Sequence, residues 1–113
     1  MHLGLLLAAA LSADWKEYEA TGYHHGCIMP KNGIETSRRN PGADGKMPVP
    51  NLTVAADKKI PFGSVLLVSY GGIVSERIVG DRGRAIVGKR IDLFMSSCER
   101  ARAFGRRKVW VKI

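Results

Sequence analysis

Cysteine is scarce in this sequence, and its two residues match neither a metal-ligand spacing nor a CxxC redox motif. If the protein is exported, Cys27 and Cys98 can pair and close a loop of roughly 70 residues, which stabilises the fold by up to about 4 kcal/mol. If it is cytosolic, they are two small buried hydrophobic residues. His24 and His25 are adjacent, but no carboxylate or cysteine pattern accompanies them. We therefore predict no metal site and no cofactor.

The sequence also lacks an apolar run long enough to span a bilayer, which takes about 20 residues in a helix. Residues 5–11 are apolar, and small residues follow near Ala10 and Ala13. We interpret residues 1–13 as a signal peptide, although no Lys or Arg precedes the apolar run. The alternative is a short apolar helix that packs on the body of the protein or on a partner chain. Membrane association is expected through this segment only.

Acidic residues are few: Asp and Glu number 10 against 18 Lys and Arg, a formal net charge of +8. Such a charge favours anionic partners, namely nucleic acid, acidic lipid or cell-wall polymer. No nucleic-acid-binding motif and no interleaving of basic with aromatic residues is present, so we do not predict a nucleic-acid partner. The basic residues are scattered, and a solvated basic surface is the alternative to a role in attracting substrate.

The length of 113 residues suffices for one domain and not for two. We place a single domain at residues 14–113, with a long Gly- and Pro-rich loop over residues 24–50. Apolar alternation between turn signals predicts strands over residues 15–23, 52–56, 64–70, 73–79, 85–87, 90–94 and 108–113.

Local signals complete this pattern. The Gly71-Gly72 pair predicts a hairpin. Ser96 and Glu99 predict a capping box that opens a helix, which Gly105 ends. Many short strands with one short helix indicate a small, mainly β barrel, because closure removes exposed strand edges.

Three aspartates follow short apolar stretches in the second half of the chain: Asp57, Asp81 and Asp92. If those stretches are core strands, the carboxylates emerge where the strands leave the core. Neighbouring carboxylates and a shielded site both raise the pKa of a carboxyl group, which makes one of them a candidate general acid. Turn formation, helix capping and ion pairing are the alternative roles for isolated aspartates.

Three sequence blocks resemble, in order, the motifs of the 3D (three-aspartate) domain family: ADKKIPFGS from residue 56, GDRGRAIVGKRIDLF from residue 80 and FGRRKVWV from residue 104. The resemblance covers residues 54–113. The segment Ala20-Thr21-Gly22-Tyr23 resembles the family's first strand more weakly. This domain occurs in membrane-bound lytic transglycosylases and in small stationary-phase wall enzymes.

The resemblance implies a six-stranded double-psi β-barrel with one or two short helices. It also implies a secreted or periplasmic enzyme that cuts peptidoglycan between N-acetylmuramic acid and N-acetylglucosamine, leaving a 1,6-anhydro product. Asp92 matches the catalytic acid/base, Asp81 a second acid beside it and Asp57 a supporting acid. The expected substrate-binding residues are Tyr23, Gly83, Arg84, Ala85, Gly88 and Lys89.

One departure from the family pattern concerns charge, because Arg82 and Arg84 flank Gly83. An arginine beside Asp81 would lower the pKa of that carboxyl, or it could bind substrate carboxylates instead. Two other functions stay open from sequence. One is a barrel that binds polysaccharide without cutting it, and the other is a virion-associated structural component such as a phage tail or lysis protein.

Overall fold

The computed structural model describes residues 14–27 and 41–113, which form a closed six-stranded β-barrel. The predicted loop 24–50 is described only in part, and the predicted signal segment 1–13 lies outside the described residues. The strands are β1 Trp15–Tyr23, β2 Thr53–Ala55, β3 Val65–Tyr70, β4 Ile73–Asp81, β5 Arg90–Phe94 and β6 Arg107–Lys112, with one helix, α1, at Cys98–Phe104.

The ring runs β1-β5-β2-β4-β3-β6 and closes where β6 pairs with β1. Two of its pairs are parallel, β1 with β5 and β2 with β4, and the other four are antiparallel. Parallel neighbours need crossover connections, so the strands close the ring out of chain order. This confirms the mainly β, six-stranded barrel and fits the double-psi topology.

The barrel interior is filled by aliphatic side chains from every strand. Because successive side chains in a strand point to opposite faces, one face of each strand supplies the core. The first strand contributes Ala20, and the others contribute the largest fully buried side chains, Leu66, Ile91, Val54, Val79, Val109 and Val111. This shared core holds together strands that are far apart in the sequence.

Local signals explain most element boundaries. The β3–β4 hairpin turns at Gly71 and Gly72, whose φ values of 59° and 81° are those that a two-residue hairpin turn requires.

A disulfide joins Cys27, in the short 3₁₀ turn His25–Cys27, to Cys98 at the start of α1. Within the described ranges, no helix has the length and apolar character needed to traverse a bilayer.

Two predicted elements were wrong. Residues 85–87 form no strand but part of the connection from β4 to β5, where Val87 is 59% exposed. The Ile86 amide donates to the Gly83 carbonyl at 3.1 Å, so this segment closes a turn and does not pair with a strand. The helix N-cap is Ser97 and not Ser96: the Ser97 hydroxyl accepts from the Arg100 amide at 3.1 Å. Because adjacent serines offer the same acceptor, the sequence does not determine which one caps.

The alternation on β3 predicts a matched pair of stability changes. Leu66 is fully buried, whereas its neighbour Leu67 points to the opposite face and is partly exposed. Leu66→Ala is expected to lower the free energy of unfolding by about 2–5 kcal/mol, because it leaves a cavity in the core. Leu67→Ala is expected to cost about 1 kcal/mol or less. Urea unfolding of both variants checks this, and equal losses would contradict the assigned strand faces.

Candidate active site

Two of the three predicted aspartates meet across one short strand. Ala55 of β2 pairs with Asp92 of β5 on one side and with Asp81 of β4 on the other. Since neighbouring strands lie about 4.8 Å apart, the Cα atoms of the two aspartates are roughly 10 Å apart. Residues directly paired across strands project to the same face, so both carboxylates lie on one side of the sheet.

An irregularity in β4 produces this alignment. Val54 pairs with Val79, but the next residue, Ala55, pairs with Asp81, so that Gly80 is passed over. An extra residue in one strand shifts every later side chain to the opposite face. The bulge therefore turns Asp81 to the face that carries Asp92.

Asp92 lies between two core residues, Ile91 and Leu93, so that its own side chain points away from the core. Its Oδ1 accepts a hydrogen bond of 2.9 Å from the Thr21 hydroxyl on β1. Burial raises the pKa of the Asp92 carboxyl, the bond from Thr21 lowers it, and the negative charge of Asp81 raises it further. The net direction is upward, which favours the protonated acid.

Asp81 has a different environment, because three donors reach its carboxylate. The backbone amides of Ala43 and Arg82 donate to Oδ1 at 3.0 and 2.9 Å, and the Tyr23 hydroxyl donates to Oδ2 at 2.8 Å. These bonds fix the orientation of Asp81. Within the described parts of the chain, Asp92 receives only the bond from Thr21.

Tyr23 links β1 to this pair of acids. Burial raises the pKa of the Tyr23 hydroxyl, and so do its hydrogen bond to Asp81 and the charges of Asp81, Asp92 and Asp44. The hydroxyl therefore stays protonated and acts as a donor. The ring packs edge-on against Phe94 at 5.2 Å between centroids, which holds the donor in place.

The third predicted acid, Asp57, has its own partners. Its carboxylate accepts from the backbone amides of Lys59 and Gly88, and these two bonds lower the pKa of its carboxyl. Gly88 has a φ of 63°, a conformation that favours glycine. Neither hydrogen bonds nor charge interactions link Asp57 to the other two aspartates among the described residues. Its contacts hold the β4–β5 connection, and a supporting role in catalysis stays a prediction.

The two arginines beside Gly83 behave differently from each other. The Arg82 guanidinium donates to the carbonyls of Ala56 and Ile60 at 3.2 and 2.7 Å, and its Cζ lies 4.1 Å from the centroid of the Phe62 ring. It makes no ion pair with the Asp81 carboxylate. Arg84 is exposed and is the one of the two that can reach a ligand.

The predicted binding residues of the β4–β5 connection are all exposed: Gly83, Arg84, Ala85, Gly88 and Lys89. Next to them lies a small cavity of about 170 Å³ that reaches Thr21 and is lined by Glu19, Thr21, Ala85, Ile86, Arg90, Ile91 and Arg106. One oxygen of Glu19 binds both Arg90 and Arg106, at 2.8 and 2.9 Å. The cavity wall therefore carries two guanidinium groups against one carboxylate.

Sequence reasoning missed three contributors to the site. Thr21 falls in the weakly matching first-strand segment, and that resemblance is the signal that could have identified it. Ala43 acts through its backbone amide, which leaves no trace in a sequence. It reaches Asp81 because Gly42 packs on Gly80, where an added Cβ would lie 2.5 Å from the Gly80 carbonyl oxygen. Arg106 forms an ion pair with Glu19, which lies 87 residues away in the sequence.

Comparison with known proteins shows the family of this chain. The family model of the 3D domain matches residues 52–113, which is more than half of the chain. The chain therefore belongs to the 3D domain family. A search of curated proteins found no match.

Solved structures of MltA from Escherichia coli share the fold. Two of them match with TM-scores of 0.53 and 0.52, at 26% and 25% sequence identity. One of these two is described as having a lytic transglycosylase fold. A third, which holds bound chitohexaose, matches with a TM-score of 0.51 at 22% identity over 67% of this chain. The first two matches cover 68% of this chain but only 28% of MltA.

The surroundings of Asp92 predict opposite pKa changes in two variants. Asp81→Asn removes a negative charge and is expected to lower the pKa of Asp92. Thr21→Val removes the hydrogen bond that stabilises the ionised form and is expected to raise it. Carbon-13 NMR titration of the carboxyl groups measures both changes. Shifts of the same sign in the two variants would contradict the assigned contacts.

Proposed function

We propose that this protein is a peptidoglycan lytic transglycosylase in which Asp92 is the single acid/base. The observation that carries the proposal is that the neighbouring carboxyl groups of Asp81 and Asp92 have different environments. Asp92 has a raised pKa and one donor, whereas Asp81 has three donors. Such a difference between neighbouring carboxyl groups is typical of acid/base catalysis. Membership of the 3D domain family and the fold shared with MltA support the same reaction class.

In the proposed reaction, the Asp92 carboxyl protonates the glycosidic oxygen between N-acetylmuramic acid and N-acetylglucosamine. The bond from the anomeric carbon to that oxygen breaks, and its electron pair goes to the leaving oxygen. The 6-hydroxyl of the muramic acid residue then attacks the anomeric carbon. The Asp92 carboxylate takes the proton of that hydroxyl and is restored to its acid form.

One catalytic carboxyl suffices because the substrate supplies the nucleophile. Glycosidases that use water need a second carboxylate as base or nucleophile. Asp81 does not suit that task, since both of its oxygens are engaged by donors. We assign it as a positioning residue, whose charge opposes ionisation of Asp92. The Tyr23 hydroxyl holds Asp81 by a hydrogen bond, and the Thr21 hydroxyl holds Asp92 in the same way.

The basic surface suits a polymer that carries carboxylates. Arg84 and Lys89 are exposed on the connection beside the acids, and Arg90 and Arg106 line the adjoining cavity. With the net charge of +8, these groups would attract the carboxylates of peptidoglycan. The disulfide between Cys27 and Cys98 is typical of an oxidising compartment, so we place the enzyme at the cell wall, outside the cytoplasm.

The proposal predicts that Asp92→Asn lowers the release of soluble muropeptides from purified sacculi by more than about 100-fold, the usual contribution of a general acid/base. Chromatography of the digest measures this release. Glu99→Gln is the matched control, because it makes the same carboxylate-to-amide change at an exposed position in the first turn of α1. Binding to sacculi with no soluble product from the unaltered protein would instead favour a non-catalytic wall-binding barrel.

The proposal also predicts a pH dependence. The active form of Asp92 is protonated, so activity is expected to fall as the pH rises through the raised pKa of that carboxyl. In Asp81→Asn the raising charge is gone, and the fall is expected at lower pH. Initial rates of muropeptide release across a pH series check both statements. A fall that moves to higher pH in Asp81→Asn would contradict the role given to Asp81.

A further inference from the structure

A cavity of about 440 Å³ opens at the end of the barrel that carries the β3–β4 hairpin and α1. Its walls are mainly aliphatic and aromatic, formed by Val68, Tyr70, Gly71, Ile73, Ser75, Arg77, Leu93, Met95 and Phe104. This size falls in the range of small-molecule sites, roughly 300–1,000 Å³. Leu93 and Val68 are each 2% exposed, so the cavity floor is the barrel core itself.

In the part of the chain that the structure describes, Arg77 is the one charged side chain that lines this cavity. Along β4, Ser75 and Arg77 are half-buried, while Glu76 between them is exposed. The alternation turns Arg77 toward the barrel interior. Its Nε donates to the Ser75 hydroxyl at 3.3 Å, whereas its Nη1 is buried and has no hydrogen-bond partner among the described residues.

The charge of Arg77 is not balanced inside the described parts of the chain, where it makes no ion pair. Burial lowers the pKa of its guanidinium, but arginine stays protonated in proteins. Arg77 is half-buried, and its buried Nη1 has an unused donor that an anion would satisfy. The orphaned Nη1 therefore points to a ligand.

A second arginine adds positive charge at the cavity rim but offers little hydrogen bonding. The Cζ of Arg107 lies 4.7 Å from the Tyr70 ring centroid and 5.2 Å from that of Phe104. Each of its three nitrogens donates one hydrogen bond, to the carbonyls of Phe104 and Ala103 and to the Tyr70 hydroxyl. Within residues 14–27 and 41–113, no acidic side chain lines the cavity. Arg77 is thus the guanidinium among the described lining residues, and it can bind one anionic group.

We propose that this cavity binds an aliphatic chain that ends in a single carboxylate. The carboxylate pairs with the Arg77 guanidinium, whose planar fork matches it. The aliphatic chain lies along Val68, Leu93 and Met95. A sugar does not suit these walls, because few polar groups would receive its hydroxyls.

This site is separate from the proposed acid/base site. Arg77 precedes Asp81 by four residues on β4, a distance of roughly 13 Å along a strand. The bulge at Gly80 puts the two side chains on opposite faces of the sheet. The inference therefore does not depend on peptidoglycan cleavage.

Titration of the nitrogen-15-labelled protein with octanoate tests the proposal by NMR. We expect saturable shifts of the Arg77 Nε–H resonance and of the Gly71 and Ile73 amides. 1-Octanol, octylammonium and acetate should each bind at least tenfold more weakly, since each lacks the chain or the negative charge. Equal binding of octanol and octanoate, or no saturable shift with octanoate, would overturn the proposal.

Substitution provides an independent arm of the test. Arg77→Met keeps the apolar stem, removes the charge, and is expected to weaken octanoate binding at least tenfold while changing 1-octanol binding less than twofold. Arg100→Met, at an exposed position on α1, is the control and should leave octanoate binding unchanged within twofold. Retained octanoate binding in Arg77→Met would refute the pairing. If that variant does not fold, the ligand series on the unaltered protein still decides.

Discussion

The pairing of β2 with β4 and β5 is the constraint on which the rest of the candidate site depends. β2 has only three residues, all buried, and it holds its neighbours so that Asp81 and Asp92 flank Ala55. Backbone hydrogen bonds and the shared core set this spacing, not the acids themselves. Two carboxylates would separate if they were free to move, and the barrel keeps them near one another. Strand pairing thereby holds the charge of Asp81 near Asp92, where it raises the pKa of that carboxyl.

The environment then gives two identical side chains different properties. Three donors surround Asp81, and they come from β1, from the segment before β2 and from the residue that follows β4. Asp92 is buried next to that charge and receives one bond from Thr21. Three donors thus fix the carboxylate of Asp81, while burial and the charge of Asp81 raise the pKa of the Asp92 carboxyl. The arginine that stands next to Asp81 in the sequence does not cancel this arrangement, because its guanidinium binds carbonyls elsewhere.

Local patterns in the sequence predicted much of the barrel. β1 and β5 begin and end where the alternation indicated, and the glycine pair marks the hairpin. The two errors concern features that the neighbouring sequence alone does not decide. Residues 85–87 lack a strand to pair with, and either of two adjacent serines could cap the helix. The resemblance to the 3D domain singled out Asp81 and Asp92, which the structure brings to either side of Ala55, and their catalytic roles stay a prediction. It could not show the bulge at Gly80, the amide of Ala43 or the partners of Asp57, because each depends on contacts between distant segments.

The central claim is that Asp92 transfers a proton to and from the substrate while the substrate's own hydroxyl is the nucleophile. Digestion of purified sacculi in water enriched in oxygen-18, followed by mass spectrometry of the soluble products, tests this claim most directly. The account predicts muropeptides that end in a 1,6-anhydro ring and carry no heavy oxygen at the cut. Heavy oxygen in the newly formed reducing end would show that water attacks the sugar, and it would contradict the account.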